Sequence, residues 1–228
     1  MPPIKPFEIT EEFLIVGEGA GDQAFFRHLC DVHGIGPVQV LDAGGTGKLE
    51  EFLKSLPTRT GFRKCKMLVV VGDNDDAPDE RFKQIRIFLK RAKVLPVPEN
   101  PFQVKYTTGD LKLVVIMLPF DDARNRTRGC LETLLIPSAF EHLPEIAKCI
   151  PAFGECIGVG RWPNGSHVDK FRLRALLAAA FPDNPNFGLQ YALHPDRNVI
   201  PLDHQCFGPI VEFIRGLLPP VPAAGGDS

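Results

Sequence analysis

Four short apolar runs, FLIV at 13–16, VQVL at 38–41, MLVVV at 67–71 and LVVIML at 113–118, are separated by amphipathic stretches, and this spacing constrains the fold more than any other feature of the chain. Each run has the length and β-branched content of a strand, and near-continuous apolarity implies a sheet covered on both faces. Between and after the first three runs lie helical stripes: Phe25, Leu29 and Val32; Leu49, Phe52, Leu53 and Leu56; Phe82, Ile85 and Leu89. The order βαβαβα predicts parallel strands joined by right-handed crossovers. FQVKYTT and LKLVVIML then flank Gly109 and Asp110, the turn signal of a hairpin that adds an antiparallel strand. The second half reads as helical in CLETLL, FEHLPEIAKCI, VDKFRLRALLAAAF and HQCFGPIVEFIRGLL, the last with a stripe of Phe207, Ile210, Val211, Ile214 and Leu217. The expected organisation is one α/β domain over 1–218, its core at about 10–137 and a helical C-terminal extension at about 138–218, with a disordered tail at 219–228.

With 228 residues, 44% of them hydrophobic, the chain can bury a substantial core. No run approaches the roughly 18 apolar residues that span a bilayer, and MPPIKPFEIT lacks the apolar stretch of a secretion signal, so no membrane partner and a cytoplasmic location are expected. The six cysteines contain no C-x-x-C pair, which points away from disulfides and zinc and toward mostly buried, reduced thiols. A net charge of −2 argues against indiscriminate nucleic-acid binding. Lys83, Arg86, Lys90 and Lys93 recur at helical spacing and Arg124, Arg126 and Arg128 crowd one loop; each patch alone reads first as a solvated face.

The chemistry-bearing residues are acids. LIVGEGAGDQAFF runs from a strand into a glycine-rich turn, but Asp22 stands where a dinucleotide fingerprint needs its third glycine, and no phosphate loop of the G-x-x-x-x-G-K-[ST] kind is present. Ligands of open parallel sheets sit at the carboxyl ends of the strands, where Glu18 follows the first strand and Asp73 and Asp75 follow the third. In an extended segment Asp73 and Asp75 point the same way. Carboxylates held that close call for a divalent cation or raised pKa values, and magnesium suits oxygen ligands with room left for phosphate. The plainer reading makes Asp22 a cap for a helix starting near Gln23 and gives Asp76, Asp79 and Glu80 to the positive end of the next helix, where Pro78 fits the first turn. GGTGK at 44–48 offers backbone N–H groups, Gly45 among them, and Lys48 to a phosphate. Glu132 follows the fourth apolar strand.

The spacing of Glu18, Gly19 and Asp22 in EGAGD, with Asp73 and Asp75 in DND after a later strand, resembles the Toprim domain of topoisomerases, bacterial primases and OLD-family nucleases. GGTGKL, GCLETLL and DKFRLRALLAA resemble segments of small bacterial Toprim-related proteins close to the OLD nucleases, so the resemblance covers much of residues 12 to 180. It implies a Toprim-like, Rossmann-like fold in which Glu18 is a metal ligand or acid/base and Asp73 and Asp75 hold magnesium. Asp22 and Glu132 would help hold a second ion, and Lys170 would stand as a cation near the scissile phosphate. Gly17 departs from the apolar residue usual before the glutamate. The chain carries no phosphate-loop ATPase, so no ATP-controlled activity is implied, and Tyr106 and Tyr191 lie in no strand-passage context, which argues against a topoisomerase.

The expected function is therefore a nuclease acting on DNA or RNA with one or two Mg2+ or Mn2+ ions. Its rivals are a non-catalytic module binding nucleic acid or nucleotide, and hydrolysis or transfer on a small phosphorylated nucleotide.

Overall fold

In a computed structural model of the chain, which describes residues 7–107, 110–120 and 127–218 apart from the side chain of Thr46, the apolar runs form one five-stranded sheet. The elements follow in the order β1 (Phe13–Gly17), α1 (Ala20–Val32), β2 (Gln39–Asp42), α2 (Leu49–Ser55), β3 (Met67–Asp73), α3 (Pro78–Arg91), β4 (Lys105–Tyr106) and β5 (Lys112–Leu118). Then come α4 (Leu131–His142), α5 (Pro144–Ala147), α6 (Ile150–Cys156), α7 (Gly165–Ala180), α8 (Leu189–Ala192) and α9 (Gly208–Leu217). The strand order is β2-β1-β3-β5-β4, a mostly parallel, Rossmann-like sheet. Only β4 is antiparallel, paired with β5 through Lys105↔Leu113 and Tyr106↔Lys112, as the hairpin signal predicts. Gly109 of that turn lies outside the described residues, as do Arg124, Arg126 and the tail at 219–228.

Both faces of the sheet are covered. Ile15, Val69, Val71, Val114, Ile116 and Leu118 pack on one side with Phe25, Phe26 and Leu29 of α1, Leu135 of α4, Leu173 and Leu177 of α7, and Ile210 and Ile214 of α9. Leu14, Val16, Leu68, Val70, Val115 and Met117 pack on the other with Phe52 and Leu53 of α2 and Ile85 and Leu89 of α3. Side chains alternate along each strand, yet both sets are apolar because helices lie on both sides. The helical C-terminal part thus shares a core with the sheet.

Two stripes depart from their prediction. Val32, the last residue of α1, is 45% exposed, so the buried face of that helix ends near Leu29 and Cys30. FEHLPEIAKCI forms no single helix: α4 stops at His142, Pro144 opens α5, and α6 starts at Ile150, since a proline lacks the N–H that would continue the preceding helix. Among the cysteines, Cys30, Cys65 and Cys130 are buried, whereas Cys149 and Cys156 are exposed.

Candidate functional site

The chain leaves β1 toward β2 on one side, and β3 lies on the other, so the carboxyl ends of β1 and β3 border the point where the strand order reverses. Glu18 follows the last residue of β1 and Asp73 ends β3. They line one cleft of about 340 Å³ together with Asp22, Gly45, Glu132, Lys170 and Arg174. Five of the residues singled out from the sequence as acids or cations, from β1, α1, β3, α4 and α7, therefore share one opening.

Local geometry explains how they arrive there. Gly17 is more than a tolerated departure: a Cβ there would overlap the Cβ of Asp22, so the missing side chain lets the first turn of α1 fold back against β1. Asp22 is the third residue of α1, which starts three residues before Gln23, and its Oδ2 accepts the Gly19 N–H at 2.9 Å. Gly72 leaves the space into which Glu18 turns; a Cβ built there would stand 3.2 Å from Glu18 Oε1. The glycine turn after β2 braces this loop, because the Gly45 N–H donates to the Glu18 carbonyl at 2.7 Å and the Ala43 N–H to the Gly17 carbonyl at 3.0 Å. The Gly45 amide is thus already engaged, while Lys48 is exposed, with its side chain alongside Gly44, and does not line the cleft.

Asp73 and Asp75 do not sit side by side on an extended strand. β3 ends at Asp73, and Asp75 has φ 48°, a left-handed turn that extended geometry did not anticipate. Asn74 between them is fully buried; its N–H donates to the Leu118 carbonyl and its Nδ2 to the Thr127 carbonyl, each at 2.7 Å. Asp73 Oδ1 accepts the Leu131 N–H at 2.9 Å, so it faces the first turn of α4. Asp75 instead meets two cations, Arg81 Nε at 3.3 Å and Lys170 Nζ at 3.7 Å. Arg81 also holds Glu18 Oε1 through Nη2 at 2.6 Å.

Arg81 is one of two cations that sequence reading missed. Its signal was only its place on the second turn of α3, directly after the D-x-D segment, among other charges. Arg174 was missed too, although it lies one turn beyond Lys170 on the same helix and lines the same cleft. Asp76, assigned to the helix that follows it, instead reaches α7: its Oδ1 accepts the Gly165 N–H at 2.8 Å and its Oδ2 the Ser166 hydroxyl at 3.3 Å. Asp79 and Glu80 do lie in the first turn of α3, with Pro78 leading it. α7 is further held by Thr133 of α4, whose hydroxyl donates to Asp169 Oδ2 at 2.7 Å. The basic stripe is elsewhere: Lys83 and Lys90 face solvent on α3, Arg86 lies over the Phe82 ring, and Lys93 stands beyond the helix end.

The electrostatics follow from this crowding. Burial, and then the charges of Glu18 and Glu132, push the Asp22 carboxyl up to about 7 against the lowering effect of the Gly19 N–H. Burial and the charges of Asp22, Glu18 and Glu132 hold Asp73 well above the ordinary carboxylate range, with Lys170 opposing. Burial acts against the charged form of Lys170, but its neighbours Cys130, Glu132, Asp73 and Asp75 together outweigh it and raise its pKa. The donors are hard oxygens suited to Mg2+ or Mn2+. Among the described residues, no three His, Cys, Asp or Glu side chains are gathered closely enough to hold one ion. A divalent ion would therefore have to draw the carboxylates inward and take over the charge that Arg81 and bound protons now balance.

Fold and site together define an α/β protein with a carboxylate cluster at the switch point of a parallel sheet. The chain belongs to the family described as a protein of unknown function, DUF3226, whose model matches residues 11–219. No curated protein and no solved structure matches it. No helix among the described residues is long and apolar enough to cross a membrane.

Proposed function

We propose that this protein is a divalent-metal-dependent phosphodiesterase acting on DNA or RNA, of the Toprim and OLD-like type that its sequence resembles. The observation that carries the reading is the convergence of Glu18, Asp22, Asp73 and Glu132 on one cleft, where burial and mutual repulsion push the Asp22 carboxyl up to about 7 and hold Asp73 well above the ordinary carboxylate range. A structural cluster gains nothing from that repulsion, whereas a cation-binding one does. By resemblance Glu18, Asp73 and Asp75 would hold one Mg2+ or Mn2+, Asp75 only after leaving Arg81 and Lys170 to turn toward the cleft, and Asp22 and Glu132 would help hold a second. Bound there, the metal supplies Lewis-acid polarisation of phosphate and a more acidic water.

The chain's own residues do the rest. Lys170, half-buried and kept protonated by its acidic neighbours, neutralises charge that develops on a phosphate at the cleft. Arg174 adds a second cation one helical turn away. Asp22, titrating near 7, can hold or release a proton at working pH, and Glu18 is the alternative acid/base.

A second reading rests on Arg81. By pairing with Glu18 and Asp75 it neutralises part of the cluster without any metal, which suits a non-catalytic nucleic-acid or nucleotide-binding module. Turnover assays separate the two. Single-stranded DNA, duplex DNA, RNA and free nucleotides are incubated with Mg2+, Mn2+ or EDTA. Asp73→Asn and Asp75→Asn should each lower metal-dependent hydrolysis at least about 100-fold, equivalent to about 2.7 kcal/mol of barrier. Wild-type rates in both variants would refute the metal assignment, and no turnover of any substrate would favour the binding module.

A further inference from the structure

Beside the acidic cleft lies a larger cavity of about 520 Å³, and the two share Glu132, Lys170, Arg174 and Leu189 in their walls. One wall of this second cavity is aromatic. Phe171 of α7 stands 5.5 Å from Phe153 of α6 and 5.6 Å from Trp162, ring centre to ring centre, and Phe187 also lines the space. Phe153 is 49% exposed and Trp162 39% exposed. Exposed apolar side chains are ordinary when scattered, but several rings gathered around a concavity of small-ligand size mark a binding surface.

The charge pattern narrows what fits. Lys170 and Arg174, one turn apart on α7, stand where the aromatic trough meets the cleft, and Arg174 makes no ion pair among the described residues. A ligand with a flat apolar ring at one end and a phosphate at the other matches aromatic faces beside two cations. A nucleotide within a strand has this form, and its base can reach an aromatic face only when it is not stacked and paired in a duplex. On these grounds we propose that the trough bounded by Phe153, Trp162 and Phe171 receives an unpaired base of a single-stranded nucleic acid, with Lys170 and Arg174 on the adjoining phosphate. This rests on the phosphodiesterase reading for its purpose, since it places the backbone next to the acids, but the binding itself needs no turnover.

Trp162 is the chain's single tryptophan, so its emission reports on the trough directly. The test uses the full chain in EDTA with a fluorescent oligothymidylate of about twelve nucleotides, a strand of the same length lacking bases, the corresponding duplex, and free dTMP. The oligothymidylate should quench Trp162, and the abasic strand and duplex should bind about tenfold more weakly or worse without quenching. Trp162→Ala and Phe153→Ala should each weaken oligothymidylate binding about tenfold while leaving the abasic strand unaffected, and Trp162→Phe should retain affinity. Both positions are exposed, and unchanged circular dichroism and melting temperature would establish that the variants are folded. Equal affinity for normal and abasic strands, unchanged binding by both alanine variants, or no binding by the wild type would overturn the proposal. Quenching by dTMP as strong as by the oligomer would overturn its assignment to a strand. Base-dependent binding with no metal-dependent hydrolysis would refute the nuclease and leave the trough. Hydrolysis with unaltered affinity in the alanine variants would do the opposite.

Discussion

Asp22 keeps its proton up to about pH 7, while an ordinary aspartate gives it up near 3.8. Between those values the folded state binds more protons than the unfolded chain, so the stability of the metal-free protein should fall as pH rises through this window and level off above it. Asp73, displaced in the same direction, steepens the fall. Asp22→Asn still offers an oxygen to the Gly19 N–H but has nothing to titrate. It should therefore flatten much of the slope and raise metal-free stability at neutral pH. Urea midpoints in EDTA at about pH 5 and about pH 7.5 check this, and an undiminished slope in the variant would place the titration elsewhere. Divalent metal should abolish the slope in the wild type, because it takes the place of the protons. At this scale the sequence was readable where a residue's position along a strand decides its place: Glu18 and Asp73 stand at strand ends. It was unreadable at Asp75, whose left-handed φ has no glycine to announce it. Arg81 was hidden as one charge among several on a helix that looked merely solvated.

The elements that carry the site are tied by contacts distant in sequence. α7 brings Lys170 and Arg174 to the cleft, and its first turn is met by Asp76 from the loop after β3. A helix N-terminus that loses such an acceptor typically costs about 1 kcal/mol. Asp76→Ala should lower unfolding stability by about that amount and Asp76→Asn by less, measured by urea denaturation with the denaturant slope unchanged. Equal stability of wild type and Asp76→Ala would mean that water replaces the carboxylate without loss. Helical periodicity made α2, α3 and α9 legible, since each buries one stripe. The partner of the α7 terminus was not legible, because a cap supplied from a remote loop leaves no local pattern. The helices around Pro144 were misread as one for a related reason: apolar content persisted through a break that the proline imposed.

For the molecule as a whole, the two faces of the sheet are closed by different parts of the chain. α2 and α3 close one, while α1 shares the other with α4, α7 and α9. Phe207, at the start of α9, packs 5.5 Å from Phe25 of α1, and Phe213 lies 5.5 Å from both Phe102 and Phe120 beside the sheet edge. A chain ending at residue 180 would leave these rings and the strand residues under them bare. Such a truncation should be aggregated or bind a hydrophobic dye strongly, and a soluble, cooperatively melting product would show that the sheet stands without α9.

The closure of that second face also sets an order of events during synthesis. β1 emerges from the ribosome early, its partners β2 and β3 and then β5 follow, yet the lid over Ile15, Val69 and Ile116 is completed only when α9 clears the exit tunnel. Once β5 has formed, the nascent sheet is covered on the α2 and α3 side, while the other side, begun by α1, stays partly open until α4, α7 and α9 arrive. Chaperone engagement should be concentrated on that half-open intermediate, and by the time it closes every residue lining the cleft, the last of them Gln190, has already been made.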